Sequence, residues 1–126
     1  MAGRERGAAV VEFVLVMVLL VPLVLGLAQV ALVLHVRNTL AAAASEGARA
    51  SAPVGTSPAD GAARTRSMIR QALDDRYATD VSAAWTTVAD LPGAEVEVRT
   101  RVPALGLFGP SVPLTVRGHA IREVEP

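Results

Sequence analysis

Residues 13 to 36, twenty-four in a row, contain no Asp, Glu, Lys or Arg. A membrane-crossing helix needs about 20 mostly apolar residues, so this run is long enough for one span with some tilt. A secretory signal peptide is the rival reading, and Ala41-Ala42-Ala43 has the small side chains of a cleavage site. The apolar part of a signal peptide runs about 7–15 residues, well short of this stretch. A retained anchor is therefore expected. The composition agrees, because 52% of the chain is hydrophobic but only 3% is aromatic. Ala, Val and Leu make up the bulk, which suits a helix in lipid better than an aromatic-rich globular core.

The net charge is zero, so nothing in the balance points to nucleic acid. The chain has no cysteine, which excludes a disulfide frame, a thiolate metal site and a cysteine nucleophile. His35 and His119 lack metal-ligand spacing. Asp74-Asp75 is not followed by the ligand ladder and glycine turn of a calcium loop, and reads as a solvated helix end. No phosphate loop or nucleophile motif occurs. No enzymatic activity, metal or cofactor is expected.

One carboxylate, Glu12, stands at the head of the apolar run. A charged side chain in a membrane helix costs a few kcal/mol on insertion scales, so it needs a counter-charge or a proton. The spacing offers a partner. Were the chain cut after Gly7, Ala8 would be its first residue and Glu12 its fifth. The new α-ammonium would then lie one helical turn from the carboxylate. In an uncut chain Glu12 is a boundary residue beside Arg4 and Arg6. Orientation follows from the short leader, which translocates less readily than the C-terminal part is exported. The N-terminus is expected in the cytoplasm and the C-terminal domain outside. Arginines at 4 and 6 on one side and 37 and 49 on the other give little further bias. Within the span, Pro22 removes a backbone hydrogen bond and predicts a kink. Gln29 is expected to hydrogen-bond a neighbouring helix, and His35 to sit at the outer interface.

The helix should outrun the lipid. Ala41 to Ala44 favour helix, and Pro53 and Gly55 stop it. A helix from Ala8 to Ala50 would be about 65 Å long, a span plus a stalk. The expected organisation is a basic leader over 1–7, a transmembrane helix and stalk over 8–50, a linker over 51–58 and an exported domain over 59–126. In that domain Ser57-Pro58-Ala59-Asp60 signals a helix start. Ala62, Ile69, Leu73 and Tyr77 share one face, and Asp60 and Arg64 are spaced for an ion pair. Val81 to Val88 reads as a strand with Val81, Ala83 and Trp85 on one side. Leu91-Pro92-Gly93 reads as a turn. Glu95 to Val102 is the clearest strand, with valines and Thr100 alternating with Glu95, Glu97, Arg99 and Arg101. Val112 to Val124 reads as the returning strand, with a bulge at Gly118 where the alternation slips. The Leu107-Phe108 tip between these strands either touches a partner or the membrane, or folds over the helix as core. The fold class is thus α+β and membrane-anchored: a long N-terminal helix, a second helix and a small antiparallel sheet. About seventy residues make a small core, so packing against the stalk or a partner should help it.

Three stretches carry a resemblance. They are Gly7-Ala8-Ala9-Val10-Val11-Glu12-Phe13-Val14-Leu15, Leu34-His35-Val36-Arg37-Asn38-Thr39-Leu40 and Ala44-Ser45-Glu46-Gly47-Ala48-Arg49. In order on one helix they resemble the TadE-like proteins of tight-adherence pilus systems, with actinobacterial members most similar. The resemblance covers roughly residues 4 to 50 and leaves the distal domain unassigned. It implies a minor pilin or pseudopilin that takes part in assembling a Flp-type pilus. Carried onto this chain, a membrane prepilin peptidase cuts between Gly7 and Ala8, and Glu12, followed by Phe13, is the assembly carboxylate. The implied partners are that peptidase, other pilins or pseudopilins, the inner-membrane platform with its ATPase, and membrane lipid. The chain departs from the family pattern in its proline. Members often place one soon after the glutamate-aromatic pair, whereas here it comes at Pro22. The alternative is an uncleaved bitopic adaptor whose exported domain binds another envelope protein. An exported enzyme would need a polar pocket around His119.

Overall fold

The computed structural model describes residues 2–104 and 111–124. The elements run in the order α1 (Ala2–Ala50), α2 (Pro58–Ala72), a short 3-10 helix (Asp75–Ala78), β1 (Val81–Val88), β2 (Leu91–Val102) and β3 (Val112–Ile121). The strands form one antiparallel sheet in the order β1-β2-β3. The α+β class read from the sequence is the one observed. The Leu107-Phe108 tip lies outside the described residues.

The 49 residues of α1 span about 74 Å. The helix begins at Ala2 rather than Ala8, because nothing in Gly3 to Gly7 breaks it, and it runs through Pro22 without interruption. Its two parts have opposite environments. Residues 3 to 31 are exposed, apart from half-buried Met17 and Gln29. From Leu32 onward α1 is the central helix of the head, with Val36, Leu40, Ala43, Ala44 and Ala48 buried. The section beyond the apolar run is therefore not a bare stalk. It supplies one wall of the core that residues 59–126 alone could not complete.

The second wall is α2. Ser57 precedes it with an extended backbone, and its N–H donates to the Asp60 carboxylate at 2.8 Å. Asp60 is thus committed to the helix start, and the expected Asp60–Arg64 ion pair is not formed. Gly61, Ala62, Thr65 and Ile69 are buried against α1. The helices meet backbone to backbone. A Cβ on Gly47 would stand 1.8 Å from Thr65 Oγ1 and 2.7 Å from the Gly61 carbonyl oxygen. Thr65 turns its hydroxyl to the Gly61 carbonyl (2.8 Å), which lets a polar residue sit buried in this seam. The stretch Ala44 to Arg49 therefore has a structural task, the close docking of α2.

Both helices lie on one face of the sheet. Val96, Val98 and Val102 of β2 point into the core and are fully buried, as their alternation predicted. Two expectations about the strands need correcting. The β1–β2 turn is Ala89-Asp90, both at positive φ (50° and 65°), and Leu91-Pro92-Gly93 belongs to β2. Two-residue hairpin loops favour this left-handed geometry because it matches strand twist. Pro92 is tolerated because its ring nitrogen faces the end of β3, where pairing stops and only its carbonyl is used, accepting from Arg122 N–H at 2.8 Å. Asp90→Gly should therefore stabilise the head by about 0.5–1 kcal/mol, since glycine takes positive φ without strain. A denaturation midpoint no higher than that of the native chain would contradict the turn.

The second correction concerns Gly118. No bulge occurs there, for β3 keeps continuous register with β2 through the pair Val96 and Gly118. The glycine is needed because α1 crosses at that point. A Cβ on Gly118 would lie 2.3 Å from the carbonyl carbon of Ala44. Val116, Gly118 and Ala120 stay on the inner face, and Ile121 falls on the outer face, half exposed. Strand β3 ends at Ile121, and the chain then meets the turn that follows α1 through Glu123 N–H, which donates to the Ala52 carbonyl at 2.8 Å.

At the other end of the sheet, Gln29 Nε2 donates to the Pro103 carbonyl at 3.2 Å. The polar group within the apolar run is thus engaged by its own chain. From Val96 to Pro103 is about 23 Å of strand. From Ala44 to Gln29 is about 22 Å of helix. The match means that β2 runs antiparallel alongside α1, and levels on one can be read onto the other.

Candidate functional site

Gly7 to Phe13 lies on the exposed part of α1. No atom comes within 4 Å of a Cβ built on Gly7. Val10, Val11 and Phe13 are each more than half exposed. Helical spacing brings Ala8 and Glu12 onto one face, one turn apart, at an axial rise of about 6 Å. Glu12 is exposed and makes no ion pair or hydrogen bond among the described residues. The structure therefore puts Gly7, Ala8, Glu12 and Phe13 together on one free helical segment with no contact to the head. From Gly3 onward α1 is long and apolar enough to cross a membrane, and its most apolar window is wholly unburied.

The outer face of the sheet carries the charges expected of it. Glu97 pairs with Arg99 on its own strand and with Arg117 across the sheet at 3.0 Å. His119 Nε2 meets Glu95 Oε2 at 3.0 Å. His119 is therefore half exposed in a cross-strand pair, not set in a polar pocket. Among the described residues no three potential ligands converge as a metal site would require. Arg122 lies over the Trp85 ring at 4.5 Å, covering the end of the sheet farthest from Gln29. Trp85 is on the inner face as expected, yet remains exposed beyond the reach of the helices.

Hydrogen bonds from Arg117 and then Arg99 hold the Glu97 carboxyl below the ordinary glutamate range. A carboxyl whose pKa falls on folding stabilises the fold fully above its unfolded value. That contribution disappears as pH drops through the folded value. The melting temperature of the head should therefore fall below about pH 4. Glu97→Gln should flatten this acid limb and lower the melt at neutral pH by the same small amount, since its arginine partners are exposed and such pairs contribute little. Thermal melts followed by circular dichroism across this range provide the check.

Sequence reasoning missed the close approach at Gly47, misread Gly118 as a bulge, and missed the Gln29–Pro103 latch. A signal existed for the glycines, because an isolated glycine in a helix or strand marks close backbone approach. Nothing local could reveal the latch, whose partners are 74 positions apart.

Fold and site together define a class, a single apolar helix of membrane-crossing length whose last third is built into a small α+β head. Within that class the relationship is specific: residues 7–49 match the family model described as TadE-like protein. That segment, about a third of the chain, is thus similar to the TadE-like family, as the resemblance implied. The match begins at Gly7 and ends at Arg49, one residue before α1 ends. No curated protein and no solved structure matches the chain.

Proposed function

We propose that this chain is a minor pilin or pseudopilin acting in the assembly of a Flp-type tight-adherence pilus. A prepilin peptidase cuts between Gly7 and Ala8 on the cytoplasmic side, and the head is carried on the outer surface. The observation that carries this reading is the exposed, unpartnered Glu12 one turn beyond Ala8, inside a family segment that starts at Gly7. Cleavage turns an amide nitrogen into an ammonium. In a bundle of such helices, Glu12 of one subunit meets the ammonium of its own or a neighbouring Ala8. Pairing relieves the cost of a lone charge beside lipid and occurs at only one axial offset, so it sets register. Phe13, exposed beside Glu12, fills the contact between neighbouring helices. The chain does no chemistry of its own. Its partners are the peptidase, other pilins or pseudopilins, the assembly platform and membrane lipid.

The helix must open locally to enter a protease. Gly3 and Gly7 are the poorest helix formers in the first two turns, which makes that end the cheapest to unwind. Mass spectrometry of the membrane-extracted protein, co-expressed with a prepilin peptidase, should find an N-terminus at Ala8. An intact Met1-to-Gly7 leader under those conditions would sink the proposal.

A further inference from the structure

Gln29 lies inside the uncharged run of residues 13 to 36, yet its side chain holds a residue of the sheet, Pro103. A hydrocarbon layer of about 30 Å takes up about 20 residues of upright helix. Kept clear of Glu12 and Arg37, that layer falls between two limits, residues 13–32 and residues 17–36. Gln29 is inside it at both limits, roughly 5–10 Å below the edge on the side of the head. Whatever is level with Gln29 shares that depth.

Two strands reach this level. On β2 the Gln29 contact itself places Pro103 there. On β3 the reckoning starts at Gly118, which meets α1 at Ala44. The six steps from Gly118 back to Val112 cover about 20 Å of strand. The same drop along α1 is about 13 residues and ends at Ala31. Val112 pairs with Val102, so β2 and β3 finish together inside the apolar run. Helix α2 stays higher. Thr65 donates to the Ala43 carbonyl, which puts Ala72 about level with Val36.

The chemistry of this end suits lipid. From residue 102 to residue 116 the sequence has no Asp, Glu, Lys or Arg. Pro103, Ala104 and Val112 are half-buried and Pro113 is exposed. Backbone groups left unpaired in hydrocarbon are costly. Pro103 and Pro113 have no N–H to leave unpaired, and the Pro103 carbonyl accepts from Gln29. The nearest charge on β2 is Arg101, about 7 Å closer to the head than Pro103. That is the edge of the layer, where a long side chain reaches the headgroups while its stem stays in lipid.

We propose that the end of the sheet at Pro103, Ala104 and Val112 is inserted among the acyl chains of the leaflet on the head's side, with Pro113 at the edge. The head then sits in the membrane surface instead of standing clear of it. Gripped at both α1 and the sheet end, it has one height and one rotation about the helix axis. This inference rests on reading α1 as a membrane span.

Depth is measurable because the chain has no cysteine to compete with a single label. Full-length Ala104→Cys and Pro113→Cys are labelled with bimane and placed singly in phosphatidylcholine nanodiscs that carry a nitroxide on the acyl chains. Val21→Cys, Val30→Cys and Leu34→Cys, all exposed on α1, report the span at three depths. Thr87→Cys, at the far end of the sheet, is the aqueous reference. The label at 104 should be quenched to within about twofold of that at 30, and the label at 113 to within about twofold of that at 34, since each pair shares a depth. Iodide in the buffer should quench only the label at 87 strongly. Pro113 is exposed, so its label reports even where the one at 104 disturbs the core. Labels at 104 and 113 that iodide reaches and the nitroxide does not, with 21 and 30 quenched by lipid, would overturn the insertion and leave the span standing. Labels at 104 and 113 shielded from both quenchers would mark a protein contact and overturn it equally. A label at 21 that the lipid nitroxide does not quench would remove the span, and the insertion with it.

Discussion

Gly118→Ala should unfold the head or leave it barely folded. The added methyl would stand 2.3 Å from the carbonyl carbon of Ala44 and 2.4 Å from its oxygen. These are backbone atoms of α1, so no side chain can rotate aside. Relief requires β3 to lift off the helix, which opens the core at Val116 and Val96. Overpacking a tight core typically costs about 1–3 kcal/mol, and this collision belongs at or above the top of that range. A head this small has only a few kcal/mol to lose. Gly26→Ala is the matched control, since nothing lies within 4 Å of that position. Chemical denaturation of the detergent-solubilised chain, read by Trp85 fluorescence, should show a much reduced midpoint for Gly118→Ala alone. A midpoint equal to that of the Gly26→Ala control would mean that α1 is not seated on the sheet as described.

The second large effect is expected at Glu12. Glu12→Ala removes a charge that makes no contact within its own chain, so it should leave the head's stability unchanged and ease membrane insertion. Assembly should respond in the opposite direction. If the carboxylate pairs with a neighbouring ammonium in lipid, losing it removes roughly 2 kcal/mol of register-specific contact, a factor of about thirty in association. Glu12→Gln keeps the shape and one hydrogen-bond acceptor but not the charge, and should fall nearly as far. Incorporation into pilus fractions, normalised to membrane-inserted protein, is the readout. Wild-type incorporation by both variants would leave Glu12 as a boundary residue and shift the function to the head. The uncleaved adaptor would then become the stronger reading. Loss of incorporation accompanied by loss of insertion would indicate a damaged anchor instead, and the normalisation exposes that case.

The two effects separate the parts of the molecule. Gly118 matters because two pieces of backbone touch, and its substitution should act on folding in any environment. Glu12 makes no contact with the head in the uncut chain, and its substitution should act on assembly rather than on folding. The Glu97 titration and the Asp90 turn lie between these extremes. One concerns ion pairs on the outer face of the central strand and the other a hairpin turn, and each shifts stability without deciding it.

Much of this was legible in the sequence because it depends on short-range pattern. The uncharged run, the spacing of Gly7, Ala8 and Glu12, the Ser57-to-Asp60 helix start and the alternation from Glu95 to Val102 each depend on residues a few positions apart. Periodicity and charge report such features directly. The TadE-like stretch is of the same kind, since one helix carries all of it. Other features were settled only when distant segments met. Leu91-Pro92-Gly93 has turn-like composition, yet cross-strand pairing placed the reversal two residues earlier. Gly118 looked like a slip in alternation and proved to be the point where β3 admits the α1 backbone. Residues 36 to 52 have the small side chains of a stalk. They form the centre of the head because α2 and the sheet bury them. The sequence by itself determined an apolar helix with one lone carboxylate near its start, since both follow from what water and lipid do to individual side chains. Only the tertiary structure decided which glycines carry the fold and where the head sits along that helix. Those depend on distances between backbones far apart in the chain, and no local pattern encodes them.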